Sequence, residues 1–159
     1  MKRQILLLLL IITINQITFS QEIKTEKYCK KIEVELDKFN GETKYSTPLL
    51  NQISFTKIIR KGETVVYMRI RTIGLTPSTG EGVIILLDNG EKITKNVKTS
   101  VTVNSDAQYE HSAFLSLTKD EIELIKAHEI TNVRLYIFDI GIVKPIQYRA
   151  YMMCLDEKQ

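Results

Sequence analysis

Two cysteines and two histidines are the residues of this 159-residue chain with the most obvious potential for metal or nucleophilic chemistry. Cys29, Cys154, His111 and His128 could supply the four ligands of a tetrahedral zinc ion. No two of them have the short spacing typical of structural zinc sites, and neither histidine has a Ser or Asp motif that would predict a catalytic triad. A catalytic cysteine also needs a nearby base, which no local motif supplies. We therefore predict no metal ion, no cofactor and no enzymatic activity.

The first residues of the chain are typical of a secretory signal peptide. Lys2 and Arg3 precede an unbroken apolar run over residues 5–14, which is shorter than the roughly 20 residues that a membrane-spanning helix needs. Small residues after this run predict cleavage after Ser20. No cysteine directly follows the run, so we do not predict a lipoprotein. We expect an exported protein, periplasmic or extracellular, with no membrane span once residues 1–20 are removed; an uncleaved membrane anchor is the alternative.

Export would place the two cysteines in an oxidising compartment, where paired thiols usually form a disulfide bond. Because Cys29 and Cys154 are the only cysteines, a single intramolecular pairing exists, and it would join the start of the first strand to the end of the last. Strict alternation places Cys29 on the solvent side of its predicted strand and Cys154 on the core side of its own. This conflict leaves two free thiols as the alternative to the predicted bond.

Charge and length limit the class of protein further. Removing residues 1–20 removes two basic residues and no acidic ones, which lowers the formal net charge from +3 to +1. A nucleic-acid-binding protein normally carries a marked basic excess, so we predict no nucleic-acid partner. The remaining chain has the usual length of one domain. We expect a short linker at 21–27, a single β-domain at 28–155 and a tail at 156–159.

Apolar residues recur at every second position through most of this domain, which is typical of strands with one buried and one solvated face. In the segment 31–37, Ile32, Val34 and Leu36 form the predicted buried face. The segments 51–59 and 64–73 show the same alternation, and a turn between them predicts a hairpin.

Further strands are predicted in the second half of the domain. Val83–Leu87 is a continuous apolar run, so we expect a central strand covered on both faces. Asn89-Gly90 follows it and predicts a hairpin turn of type I′. The alternation resumes through residues 93–103 and again in the segment 109–117. The segments 132–140 and 146–154 are the last two predicted strands.

One short helix is predicted near residues 119–128, where Thr118 and Glu121 have the spacing of a capping box. His128 ends this helix, and His111 falls on the apolar side of its strand, which predicts a core or sheet-edge histidine. Eight or nine strands with one helix predict an all-β fold. We expect an antiparallel β-sandwich, with a barrel as the alternative.

Arginine and tyrosine alternate on three predicted strands, at residues 67–71, 134–136 and 149–151. Arginine suits the recognition of carboxylate or phosphate groups, and tyrosine offers an amphipathic surface. If the three strands lie side by side, these side chains form one binding face; the alternative is that they only stabilise a solvated sheet face through cation–π and packing contacts. The residues of this predicted face are Tyr67, Arg69, Arg71, Arg134, Tyr136, Arg149 and Tyr151.

The segment LDKFNGETKYSTPLL, residues 36–50, is predicted to form a loop. Its pattern Asp37-x-Phe39-x-Gly41, followed by Pro48, resembles the opening of small exported bacterial β-proteins of unknown function. The resemblance implies export and brings no activity with it. A packed loop without a binding role is the alternative. The candidate recognition residues of this loop are Phe39, Asn40, Gly41 and Tyr45.

These patterns together predict an exported β-sandwich that is not an enzyme. It would bind a protein or an anionic envelope component through the Arg/Tyr face or the 37–48 loop. A structural or accessory envelope protein without a ligand is the first alternative. The second is a hydrolase whose site is assembled from distant strands.

Overall fold

In a computed structural model, which describes residues 23–158, the chain forms ten strands and three helices within that range. The predicted signal peptide, residues 1–20, lies outside the described residues. In chain order the elements are α1 (Glu26–Cys29), β1 (Glu33–Asp37), β2 (Glu42–Ser46), β3 (Ile53–Arg60), β4 (Glu63–Gly74), β5 (Glu81–Leu87), β6 (Lys92–Lys98), β7 (Ser100–Val103), β8 (Tyr109–Leu117), α2 (Lys119–Ala127), β9 (Ile130–Leu135), β10 (Phe138–Gly141) and α3 (Ile146–Asp156).

The strands form two antiparallel sheets that do not close into a barrel, which confirms the predicted all-β sandwich. The larger sheet has six strands in the order β1-β2-β3-β4-β8-β7, and the smaller has four in the order β10-β9-β5-β6. Strands consecutive in the chain account for six of the eight neighbouring pairs, namely β1–β2, β2–β3, β3–β4, β5–β6, β7–β8 and β9–β10. Such sequential pairing is the usual outcome when alternating strands are separated by short turns.

A type I′ turn is present, but it links β3 to β4 and not β5 to β6, where Asn89-Gly90 predicts it. Lys61 and Gly62 link β3 to β4 with φ angles of 48° and 82°, the pair of positive values that defines type I′. At the predicted site, Gly90 has a φ of 85° but Asn89 does not have a positive φ. The β5–β6 turn is instead longer and closes through a hydrogen bond of 3.0 Å from the Leu87 amide to the Glu91 oxygen.

The hydrophobic core lies between the two sheets and is closed by the helices. The inner face of the six-stranded sheet contributes fully buried side chains such as Phe55, Met68 and Leu115. Val83 and Ile85 of β5 face them from the smaller sheet and are also fully buried. Ile84 and Leu86, which face the other way, are half-buried. This inner strand is therefore fully covered on one face only, and the prediction that both faces are covered is wrong.

The predicted helix is confirmed at α2, and its capping box is formed. The Thr118 hydroxyl accepts a hydrogen bond of 3.3 Å from the Glu121 amide, and the Glu121 carboxylate accepts one of 2.8 Å from the Thr118 amide. Lys95 of β6 reaches the same carboxylate at 2.7 Å. Burial raises the pKa of Glu121, but the hydrogen bonds from Lys95 and Thr118 outweigh it and leave the pKa below its ordinary value.

The segment predicted as the last strand, 146–154, is helix α3, so that prediction is wrong. Six residues of the helix are buried, and they include the neighbours Ala150 and Tyr151. A strand that packs on one side buries alternate residues, whereas α3 lies among α1, α2 and β3 and is covered on several sides. Pro145 stands immediately before the helix, a position at which proline is well tolerated.

The predicted disulfide bond is confirmed between Cys29 of α1 and Cys154 of α3, whose Cα atoms lie 5.2 Å apart. The expected conflict in side-chain direction does not arise, because both cysteines lie on helices and the two-residue alternation of a strand does not apply to them. Next to the bond, the rings of Tyr28 and Tyr151 pack edge to face with centroids 5.3 Å apart. The two short helices are therefore joined by both a covalent and an aromatic contact.

Strands β1 and β2 form a hairpin at one edge of the larger sheet, which corrects two predictions. The predicted loop at 37–48 is largely this hairpin, with only residues 38–41 in its turn and Tyr45 on β2. Val34 and Leu36 are on the inner face of the sheet but are 61% and 60% exposed. Their alternation correctly placed them on one face, but no helix or second sheet among the described residues covers it.

Among residues 23–158, no helix has the length and apolar character that crossing a bilayer requires.

Candidate functional site

The predicted Arg/Tyr face is not formed as a single surface. Tyr67, Arg69 and Arg71 lie on β4, in the middle of the six-stranded sheet, and point away from the core. Arg134 lies on β9 in the other sheet. The two groups therefore cannot belong to one sheet face.

The other four residues of the predicted face lie away from β4, in the smaller sheet, in a turn and on helix α3. Arg134 forms hydrogen bonds of 2.6 and 2.8 Å with both carboxylate oxygens of Asp139, and these bonds lower the pKa of Asp139. Tyr136 lies in the β9–β10 turn with a φ of 55°. Tyr151 is buried in the core, and Arg149 donates to the main-chain oxygen of Lys126 at 2.6 Å. We therefore centre the candidate site on the three residues of β4.

The outer face of the larger sheet holds an open groove of about 530 Å³, which we call the outer groove. It crosses four neighbouring strands, β2, β3, β4 and β8. Side chains on these strands that point away from the core form its floor, because successive residues of a strand face opposite sides of the sheet. The residues that line it are Lys44, Ser46, Thr47, Ser54, Thr56, Ile58, Tyr67, Arg69 and Phe114.

Arg69 lines the outer groove between Ser54 of β3 and Phe114 of β8 and makes two kinds of contact. Its guanidinium lies over the ring of Phe114, 5.1 Å from the centroid, a cation–π geometry. A terminal nitrogen lies 3.7 Å from the carboxylate of Glu110. Its Nε atom is buried and has no hydrogen-bond partner among the described residues. The side chain as a whole is 39% exposed, so the other guanidinium nitrogens can be approached from the outer groove.

Glu110 is shared by two arginines, which leaves an excess of positive charge beside the outer groove. Arg71 lies 3.4 Å from the same carboxylate, and the side chain of Glu110 is only 20% exposed. One carboxylate balances one of the two guanidinium charges. On the other side of the groove, Lys44 lies 3.3 Å from Glu35 and is itself half exposed.

Hydroxyl groups form a row across the outer groove. Cross-strand register places Ser46 opposite Thr56, Thr56 opposite Tyr67, and Tyr67 opposite Ser116. The oxygens of Ser46 and Thr56 are 3.4 Å apart. Ser54 is next to this row, opposite Arg69. Since a hydroxyl both donates and accepts, the row can bind a ligand that carries hydroxyl groups of its own.

Sequence reasoning identified Tyr67, Arg69 and Arg71 but missed Phe114 and Glu110. The sequence does mark both residues, because they lie on the solvent side of the alternating segment 109–117, which forms β8. Phe114 is 57% exposed. Its contact with Arg69, rather than its exposure alone, distinguishes it from the other exposed apolar residues.

Both histidines have structural roles. His111 is fully buried, which confirms its predicted core position; its Nε2 atom lies 3.0 Å from the Thr76 oxygen and its ring lies against Phe138. His128 ends α2 as predicted and lies 3.0 Å from an oxygen of Asp88. Because both cysteines are also joined in the disulfide, the four residues considered for zinc do not converge.

The turn of the β1–β2 hairpin presents the other candidate recognition residues. Phe39 is 99% exposed at its tip, and Gly41 has a φ of 65°. The carboxylate of Asp37 accepts hydrogen bonds of 2.8 and 3.2 Å from the amides of Phe39 and Asn40. These bonds lower the pKa of Asp37 and hold the turn in one conformation. Tyr45 lies on β2, on the opposite face of the sheet from the outer groove.

No protein-family model, no curated protein and no solved structure matches this chain.

Proposed function

We propose that the protein is an exported binding protein without enzymatic activity, and that its outer groove takes an acidic polysaccharide of the cell envelope. One observation carries the proposal: a partly exposed arginine lies over an exposed aromatic ring, in a groove lined with hydroxyl groups. The three parts of this arrangement correspond to three chemical features of such a ligand.

The first feature is the negative charge. A uronic acid or a sulfated sugar carries an anionic group that accepts charge-assisted hydrogen bonds from arginine. Arg69 and Arg71 share the single carboxylate of Glu110. An incoming carboxylate would therefore meet positive charge that Glu110 does not fully balance.

The second and third features are the apolar face and the hydroxyl groups of a sugar ring. The apolar face can pack on the exposed ring of Phe114. The ring hydroxyls can exchange hydrogen bonds with Ser46, Ser54 and Thr56 along the floor of the outer groove. The groove crosses four strands and is open, so it can take a segment of a long chain rather than enclose a single small molecule.

Export is supported by the signal-peptide pattern of residues 1–20 and by the disulfide bond, since such bonds persist in oxidising compartments. The final compartment, periplasmic or extracellular, decides which polysaccharide the protein meets.

Affinity electrophoresis tests this proposal with defined polymers. The protein without residues 1–20 is run in native gels that contain polygalacturonate, a polymer of a uronic acid, or neutral dextran. We expect retardation by polygalacturonate and none by dextran. Retardation should decrease with added salt, because charged contacts are screened.

Two variants of the outer groove and one matched control define the site. Arg69→Gln and Phe114→Ala should each weaken retardation by about tenfold or more, since each removes a main contact. Arg134→Gln removes an equal charge from the other sheet and should leave retardation unchanged. The proposal is wrong if polygalacturonate does not retard the protein, or if Arg134→Gln weakens retardation as much as Arg69→Gln does.

A further inference from the structure

We propose that the outer edge of β1, which is unpaired within residues 23–158, is a docking site for an extended segment of another protein, in which basic and apolar side chains alternate. The segment would add to the six-stranded sheet as a seventh strand. This interaction is separate from the outer groove. It rests on the backbone of β1, on the two faces of that strand and on the rigidity of its hairpin.

The backbone supplies the first argument. β1 is the outermost strand of the sheet and pairs only with β2 among the described residues. Its register with β2 is regular from Glu33 to Asp37, so no bulge interrupts it. A regular edge presents a row of amide and carbonyl groups that can pair with an added strand.

The inner face of β1 supplies the second argument. Val34 and Leu36 are opposite Tyr45 and Thr43 of β2 and are 61% and 60% exposed. Val34 and Leu36 are on the same face of the sheet as the buried Phe55. At β1, however, neither the helices nor the second sheet within the described part of the chain covers this face. An added strand would place its own apolar side chains beside Val34 and Leu36 and remove both from water.

The outer face of β1 determines the charge of the partner. Glu33, Glu35 and Asp37 alternate along it, and Lys44 is within ion-pair distance of Glu35 alone. Opposite charges on neighbouring strands stabilise their pairing, and like charges destabilise it. A second copy of β1 in antiparallel pairing would place carboxylates opposite carboxylates. The complementary strand therefore carries lysine or arginine on this face and is not another β1.

The rigidity of the hairpin supplies the last argument. The amide of Gly41 donates to the main-chain oxygen of Asp37 at 2.8 Å, and the carboxylate of Asp37 binds two further amides of the turn. Across the outer face, Arg60 of β3 lies 3.2 Å from Glu42 of β2. Because these contacts exist without a partner, binding need not order the edge first, and that favours affinity.

A titration with short peptides tests the proposal. The protein without residues 1–20 is labelled with nitrogen-15 and titrated with a blocked peptide of alternating lysine and valine, and separately with one of alternating glutamate and valine. We expect the lysine peptide to shift the amide signals of residues 33–37 and to slow their hydrogen exchange. The glutamate peptide should bind more weakly by about tenfold or more.

Substitutions on the two faces of β1 separate the two contributions. Leu36→Thr keeps a residue that favours strands and should weaken binding of the lysine peptide by about tenfold. Val103→Thr, at an equally exposed valine on the opposite edge strand β7, should have no effect. Glu33→Lys should weaken binding of the lysine peptide and strengthen that of the glutamate peptide, whereas Glu63→Lys, in the β3–β4 hairpin, should change neither.

Three results would overturn the proposal. The first is that neither peptide binds at concentrations up to about 1 mM. The second is that the shifted amides lie outside β1, and the third is that the protein dimerises through this edge and so excludes the peptide. Since Leu36 and Val103 lie outside the outer groove, the polysaccharide experiment can fail or succeed independently of this one.

Discussion

Lys57 donates a hydrogen bond of 3.0 Å to the main-chain oxygen of Leu155, and this contact fixes the end of α3 on the inner face of the larger sheet. The same Nζ atom lies 3.2 Å from the oxygen of Asp156 and 2.6 Å from that of Lys158. Lys57 is only 6% exposed. A buried ammonium group thus satisfies three carbonyls at the helix terminus where the helix dipole favours positive charge.

The first prediction concerns the stability of this arrangement. Lys57→Met keeps a long apolar side chain but removes the donor, so buried carbonyls lose their partner. We expect the free energy of unfolding to fall by about 1–3 kcal/mol, measured by urea denaturation. Lys98→Met, at an exposed position of β6, is the control and should have little effect. An equally stable Lys57→Met variant would show that the contacts do not contribute.

The second prediction concerns pH. Burial lowers the pKa of Lys57 below its ordinary value of 10.5, although the charge of Asp156 partly opposes this. In the interval between the folded and the unfolded pKa, the unfolded chain binds more protons. Stability therefore rises with pH across that interval. Urea denaturation at a series of pH values tests this. As the pH rises towards 10.5, the wild-type protein should gain stability relative to Lys57→Met. If the stabilities of the two proteins change in parallel with pH, the prediction is wrong.

The third prediction concerns the disulfide bond, which closes a sequence separation of 125 residues. A cross-link over such a long loop restricts the unfolded chain, and its removal typically costs about 2–5 kcal/mol. We expect the double variant Cys29→Ala and Cys154→Ala to lose this amount in urea denaturation. Because Cys154 is fully buried, mild reductants should cleave the bond slowly in the folded protein. Rapid reduction without unfolding would contradict that expectation.

The fourth prediction compares two glycines. A Cβ atom at Gly74 would lie 2.6 Å from Nε2 of His111 and 2.8 Å from the ring of Phe138. His111 is fully buried and cannot move aside, and Phe138 is half-buried, so Gly74→Ala should destabilise the protein by about 1–3 kcal/mol. At Gly141 a Cβ atom would meet nothing within 4 Å. Gly141→Ala should therefore leave the melting temperature nearly unchanged, and equal effects at both sites would refute this account.

The fifth prediction concerns the start of α2. Thr118→Ala removes the hydroxyl that accepts from the Glu121 amide, and the loss of such a cap typically costs about 1 kcal/mol. Ser116→Ala, at an exposed hydroxyl two residues earlier, is the control. Thermal unfolding of both variants should show a lower melting temperature for Thr118→Ala alone.

Features that depend on neighbouring residues could be predicted from the sequence. The alternation of β3, β4 and β8 and the capping box at Thr118 and Glu121 are local, because their period and spacing follow from the geometry of a single element. The disulfide could be predicted because only two cysteines exist. These features were sufficient for the fold class.

Features that depend on distant partners could not be predicted in this way. Alternation shows that Val34 and Leu36 lie on the same side of β1. Whether that side is buried depends on a helix or second sheet packing against it, and the sequence of β1 does not contain this information. Helix α3 combines tyrosine, methionine and alanine in an order that fits a strand equally well, and its contacts with α1 and α2 decide the outcome. Arg69 and Arg134 were grouped by a shared pattern, yet strand order placed them on different sheets.

The position of the disulfide also determines how the fold would respond to mechanical force. A pulling force applied to the chain on either side of the two sheets reaches Cys29 and Cys154 first, and their Cα atoms are already 5.2 Å apart. The covalent bond then bears the load, and all ten strands of the described residues lie within the loop that it closes. In single-molecule stretching, the oxidised domain should act as an almost inextensible link. Only reduction would allow its strands to unfold under tension and add their length to the chain.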